Sequence, residues 1–201
     1  MKLWHCADSR SLRPLWTMEE MGLEYELETM DFPPRFLHEG YRDLNPIGTV
    51  PFFVDGDVQM TESSAIAHYL VETYGPTDIA VKPGDAVYGE YLNWLYRSDA
   101  TLTFPLTVAL RFKVMEPDLG LQAAGDAYIK WFFSRLRSVE TALENREFLC
   151  GEKFTIADIC IGFSLYLAES MDLAEGFKPN TRDYFERLKQ RPAYIRATAA
   201  R

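Results

Sequence analysis

The chain has 201 residues, 47% of them hydrophobic and 14% aromatic, a composition that packs into one large or two small domains and excludes a disordered chain. Its formal net charge of -9 excludes nucleic acid and anionic membrane surfaces as general partners. No apolar run approaches the roughly 18 to 20 residues that cross a membrane, and the MKLWHC start lacks a signal peptide's regions, which makes a cytoplasmic location the default expectation.

Lys2 to Cys6 reads as a short buried strand, and Ala7-Asp8-Ser9-Arg10-Ser11 as the loop entering a first helix. Leu12, Leu15, Trp16 and Glu19 fall at helical spacing, and Gly22 ends the helix. Pro14 is tolerated only in a first turn, so Ser11 is the expected N-cap, which leaves the Ser9 hydroxyl free. Leu23 to Met30 alternates as a half-exposed strand. Asp31 to Asp43, with Pro33-Pro34, is a loop with at most a short helix.

The stretch Leu44 to Ser63 organises the rest. An extended lead-in reaches Thr49, Val50 and Pro51, Phe52-Phe53-Val54 forms a strand, and Asp55-Gly56-Asp57 has the chemistry of a hairpin turn. A second strand, Val58 to Met60, runs into Thr61-Glu62-Ser63-Ser64 and a helix to about Tyr74. A cis bond before Pro51 would offer the Val50 N–H and C=O to an extended ligand. The helix start would attract a carboxylate, with Ser63 adding a donor and Glu62 accepting from an ammonium. A peptide-like anion with an α-amino acid head fits these groups.

Gly75-Pro76 through Lys82-Pro83-Gly84 punctuates strongly and marks the linker, and no further strand is expected. Tyr88, Tyr91, Leu92, Leu95 and Tyr96 form a helical stripe, continued by Leu102 and Leu106; Phe132, Leu136, Val139 and Leu143 form another. Thr155-Ile-Ala-Asp158 is a capping-box start to IADICIGFSLYLA, apolar on nearly every side and suited to a bundle centre. A last helix runs from Asp183 to Lys189 and ends near Arg191-Pro192. Cys6, Cys150 and Cys160 have no metal-ligand spacing, their odd number argues against a disulfide scaffold, and no metal is expected.

LNPIGTVP, the hairpin with its following ES, MKLWHCADSRSLRPLW at the start and FTIADICIGF near the end together resemble the cytosolic glutathione transferase family. The resemblance implies an α/β thioredoxin-like N-terminal domain at 1–77 and an all-helical bundle at 87–201. It implies glutathione as co-substrate and an apolar electrophile as second substrate, with Tyr91 and Trp94 as lining residues and Asp99 reaching the ligand's ammonium. It also implies a homodimer. Arg35 and His38 are the candidates for the glycine end of glutathione.

Residues 1–77 hold five Lys/Arg against thirteen Asp/Glu, so local cations must offset an unfavourable charge; Arg10, Arg13, Arg35, His38 and Arg42 are candidates. Lowering a thiol's pKa from about 8.5 to about 6.5 takes roughly 2.7 kcal/mol, within reach of a hydroxyl donor and helix N–H groups. Ser9 is the first choice as activator, with Arg10 favouring the thiolate; Ser11 shares the role or only caps. Cys6-Ala-Asp-Ser9 also has the CxxS spacing of one-cysteine glutaredoxins, which would instead give thiol-disulfide reductase or isomerase chemistry through Cys6. A non-enzymatic binding module on the same fold is the remaining alternative.

Overall fold

The computed structural model describes residues 1–200. The chain divides into two compact units, Met1–Ala80 together with the chain from Leu188 onward, and Val81–Arg187. The first holds a four-stranded sheet of order β2-β1-β3-β4, built from β1 (Lys2–His5), β2 (Glu26–Thr29), β3 (Phe52–Asp55) and β4 (Val58–Met60). β1 runs parallel to β2 and antiparallel to β3, which pairs antiparallel with β4. With α1 (Leu12–Met21) and α4 (Ser63–Thr73) this is the thioredoxin-like α/β arrangement.

The sheet forms where the sequence alternates. Leu3, central in β1, pairs with Leu27 and Phe53 and is wholly buried with Leu15, Trp16, Met18, Phe53, Ile66 and Leu70. Burying each such side chain stabilises the fold by about 1.5–3 kcal/mol. Asp55 binds the hairpin to α4 by accepting from the Tyr69 hydroxyl at 3.0 Å and from the Tyr74 hydroxyl.

Two expectations for this unit are corrected. From Asp31 to Leu44 the chain makes two one-turn helices, α2 (Pro34–Leu37) and α3 (Tyr41–Leu44), one more than the single short helix expected in this loop. And the segment from Leu188 onward, expected to finish the helical domain, belongs to the sheet unit. There α10 (Pro192–Ala199) lies on α1. Arg191 holds Glu20 through two bonds of 2.6 and 2.8 Å, Tyr194 packs edge-on to Trp16 at 4.9 Å, and Arg196 reaches Glu19 at 2.5 Å. The preceding helix does end at Lys189, as expected; Pro192 is the first residue of a further helix, where its missing N–H costs nothing.

The second unit is helical: α5 (Tyr88–Arg97), α6 (Phe104–Leu110), α7 (Gln122–Ala142), α8 (Ile156–Ser170) and most of α9 (Pro179–Lys189). Between α5 and α6 the helix widens to a π turn at Ser98–Thr103, and Pro105, with no N–H to give, follows directly. Every residue of α8 from Ile156 to Leu165 is buried, and it packs on α5, α6 and the π turn. Its capping box is complete: Thr155 Oγ1 accepts from the Ala157 amide, and Asp158 accepts from Thr155 N at 2.8 Å. Asp158 also accepts from Leu149 N at 3.0 Å and the Tyr184 hydroxyl at 2.8 Å. Burial pushes its carboxyl up to about 6 while the donors pull it down. Among the described residues no helix is long and apolar enough to cross a membrane.

Candidate functional site

The site is assembled where β1 ends. The Val50–Pro51 bond is cis, as expected. The ladder of β1 and β3 ends at the Trp4–Phe52 pair, so the backbone of Val50 lies outside it, while its side chain packs with Cys6, Met30, Tyr41 and Phe52. The residue before it is fixed from inside: the Thr49 carbonyl accepts from Tyr41 Oη at 2.7 Å and from Asn45 Nδ2 at 2.8 Å. Gly48 makes this bend possible. Its φ is +69°, and a Cβ there would stand 2.8 Å from Arg35 Cβ. Gly48→Ala is therefore expected to cost about 1–2 kcal/mol from the left-handed backbone alone, read as a lower urea midpoint.

The starts of α1 and α4 meet beside this edge. Arg13, the second residue of α1, is wholly buried, and its Nη1 donates to Ser63 Oγ at 3.0 Å. Ser63 opens α4 and is 1% exposed. Because Arg13 supplies the donor, the Ser63 hydroxyl keeps its own proton to give to an anion. Glu62, at the N-cap of α4, is exposed and makes no side-chain cap, so its carboxylate is open to an ammonium.

Two expectations change at the β1–α1 loop. Ser11 occupies the N-cap position but caps nothing: its Oγ lies 2.7 Å from His5 Nδ1 and accepts from the Cys6 amide at 3.3 Å. Ser9 is not free either, because its Oγ donates to the Cys6 carbonyl at 2.8 Å and sits 2.7 Å from Ser11 Oγ. Ser9 is 8% exposed and Ser11 wholly buried, so only Ser9 can face a ligand. Cys6 is wholly buried, with its Sγ toward the Asp31 carbonyl at 3.7 Å. Burial, reinforced by the Asp31 charge, pushes its thiol up to about 12, far from the thiolate that a nucleophile requires.

His5 ties this loop to the end of α10, its Nε2 standing 3.2 Å from the Ala200 carbonyl. Burial holds its imidazole below the usual 6.5, against the Ala200 carbonyl and the Asp8 charge. The folded chain therefore resists a proton that the unfolded chain accepts at about 6.5. This contribution to stability is complete above pH 6.5 and shrinks as pH falls below it. The urea midpoint should fall between pH 7.5 and 5.5, and His5→Asn should flatten that slope.

Family models described as "Glutathione S-transferase, N-terminal domain" and "Glutathione S-transferase, C-terminal domain" match residues 1–72 and 132–192. Glutathione S-transferase 1 of Triticum aestivum is 30% identical over 92% of this chain and 86% of its own. The chain belongs to the glutathione S-transferase family. Glutathione S-transferase 3 of Schizosaccharomyces pombe is 29% identical over 95% of this chain and 84% of its own. Among solved structures, glutathione transferase URE2P6 from Phanerochaete chrysosporium, in complex with oxidized glutathione, matches with a TM-score of 0.83. That match has 26% identity and covers 98% of this chain and 93% of the other.

Within this glutathione S-transferase fold the remaining candidates are placed as follows. Arg10 is half-buried between the two serines in sequence. Arg35 lies over the Phe36 ring at 4.6 Å. His38 Nε2 accepts from the Asp31 amide at 3.0 Å, a contact that folds its own loop. Tyr91 is wholly buried and offers a ligand no surface, a correction to its role as a lining residue. Trp94 is 3% exposed with the Arg97 guanidinium over its ring at 4.7 Å; Asp99 is half-buried in the π turn. Sequence reasoning named Arg13 only among five loose cations. Its position one turn after Ser9, on the buried face with Trp16, was the available signal.

Proposed function

We propose that this chain is a glutathione transferase that binds glutathione in its first unit and activates the thiol for attack on a small apolar electrophile. The observation that carries this reading is the buried Arg13–Ser63 pair where two helices begin. In it, Ser63 and Arg13 take the γ-glutamyl carboxylate, Glu62 takes the ammonium, and Val50 pairs with the peptide body. Arg35 meets the glycine carboxylate, while Ser9, with Arg10 adjacent, meets the sulfur. The relative solved in complex with oxidized glutathione supports a ligand of this class.

The redox alternative requires a reactive Cys6, and the depth and raised pKa of that thiol speak against it. Two measurements test the proposal. Calorimetric titration should give glutathione binding, and a panel of aromatic electrophiles should be conjugated with Cys6→Ala as active as the parent. Absence of binding at millimolar glutathione would leave a non-enzymatic module. Disulfide reduction that vanishes in Cys6→Ala would install the redox reading. By family resemblance the working form is a homodimer in the cytoplasm, which sedimentation and fractionation would check.

A further inference from the structure

The hydroxyls of Ser9 and Ser11 and the imidazole of His5 form a line, Ser9 Oγ to Ser11 Oγ at 2.7 Å and Ser11 Oγ to His5 Nδ1 at 2.7 Å. The line continues from His5 Nε2 to the Ala200 carbonyl at 3.2 Å. Its far end fixes its direction. A carbonyl only accepts, so His5 carries its proton on Nε2, and in the neutral ring Nδ1 is then an acceptor. Of the two acceptors within reach of the Ser11 hydroxyl, Nδ1 at 2.7 Å and the Cys6 carbonyl at 3.3 Å, the nearer is Nδ1, to which Ser11 gives its proton. Ser9 gives its proton to Ser11 Oγ or, at 2.8 Å, to the Cys6 carbonyl. Both choices point inward. Ser9 is the most exposed residue of the line, at 8%, and its Oγ therefore faces an incoming ligand with a lone pair and not with a proton.

That polarity is the reverse of what stabilises a thiolate, and it is what removes a proton from a thiol. Resting on the glutathione reading above, we propose that Ser9, Ser11 and His5 are a proton wire that carries the glutathione thiol proton inward to His5 Nδ1. The sulfur–hydrogen bond breaks as an O–H bond forms at Ser9, the proton of Ser9 passes to Ser11, and the proton of Ser11 passes to Nδ1. No electrons are gained or lost; a thiolate and an imidazolium result. The hydrogen bonds from His5 Nδ1 through Ser11 to Ser9 have then reversed, the Nε2 bond to Ala200 is unchanged, and Ser9 now donates to the sulfur it has deprotonated. When the sulfur bonds to carbon and the leaving group departs as an anion, the proton on His5 returns through the serines to solvent.

The surroundings of His5 are consistent with a temporary proton store. Around it stand Thr29 of β2 in register, the Ala200 carbonyl, and the charge of Asp8, which favours the imidazolium. Burial opposes a resident charge, so the proton is held only while the thiolate balances it. His5 acts through the serines and touches no substrate; it is a positioning and proton-accepting residue behind Ser9.

His5→Asn tests the wire. Asparagine keeps an acceptor near the place of Nδ1 but cannot take the proton. In the intact protein, the ultraviolet titration of enzyme-bound glutathione should move up by about one pH unit in His5→Asn, with kcat at pH 6.5 falling about tenfold. KM for glutathione should stay within about twofold. Ser11→Ala, which cuts the line with His5 in place, should do the same and decides the matter if His5→Asn fails to fold. An unshifted titration and full kcat in either folded variant would overturn the wire while leaving glutathione binding, and the proposed function, standing. Failure of the parent protein to bind glutathione would remove both.

Discussion

Asp158→Ala is expected to lower stability by about 3–5 kcal/mol, the largest effect of any single substitution considered. The carboxylate is wholly buried and accepts from Leu149 N, Thr155 N and the Tyr184 hydroxyl at 2.8–3.0 Å. Alanine leaves two amides and a phenol buried with no acceptor, and hydrogen bonds to a charged group are worth about 1.5–3 kcal/mol each before relaxation. For a chain of this size that corresponds to a fall of about 10 °C or more in the melting temperature. Asparagine keeps one acceptor oxygen but turns an amide donor toward a second donor, so Asp158→Asn should lie between the two. Calorimetric melting of the three proteins measures this; a melting point for the alanine variant within about 2 °C of the parent would show that α8 does not depend on its capping box.

Arg13→Met is expected to weaken glutathione binding by about 100-fold, equivalent to about 2.7 kcal/mol. Methionine fills much of the buried space, so the change tests the guanidinium more than the packing. In a unit that carries thirteen acidic against five basic residues over 1–77, Arg13 is the cation buried at the start of α4, and with it goes the donor that leaves the Ser63 proton free. A glutathione analogue lacking the γ-glutamyl carboxylate separates site from fold: it should bind the parent as weakly as Arg13→Met binds glutathione, and lose little more in the variant. If the analogue and glutathione lose equally from the substitution, Arg13 does not face that carboxylate.

Much of the architecture was legible because its signals are local. The Asp55-Gly56-Asp57 turn, the Thr155/Asp158 box and the apolar α8 each state their conformation within a few residues. What stayed hidden depends on partners distant in sequence. Ser11 has the residue type and position of an N-cap, yet its hydroxyl is taken by His5, which in turn is held by Ala200, 195 residues away. No window of sequence shows that competition. Pro192 has two opposite meanings, end of one helix or start of the next, and Trp16 and Glu20 waiting on α1 decide between them. Cys6 has the spacing of a redox motif; its depth beneath Met30, Tyr41 and Val50, which raises the pKa of the thiol, is written nowhere near it in sequence. Arg13 was named for its charge, while its value comes from a serine 50 positions later.

The sheet unit is written in two pieces, with the whole helical unit inserted between Ala80 and Leu188. On the ribosome the first piece emerges with Trp16 and Glu20 uncovered, and it waits for the intervening helices to be translated before α10 can close over them. Nascent chains arrested before Leu188 should therefore be cleaved by protease in the α1 region, and release of the later residues should bring protection.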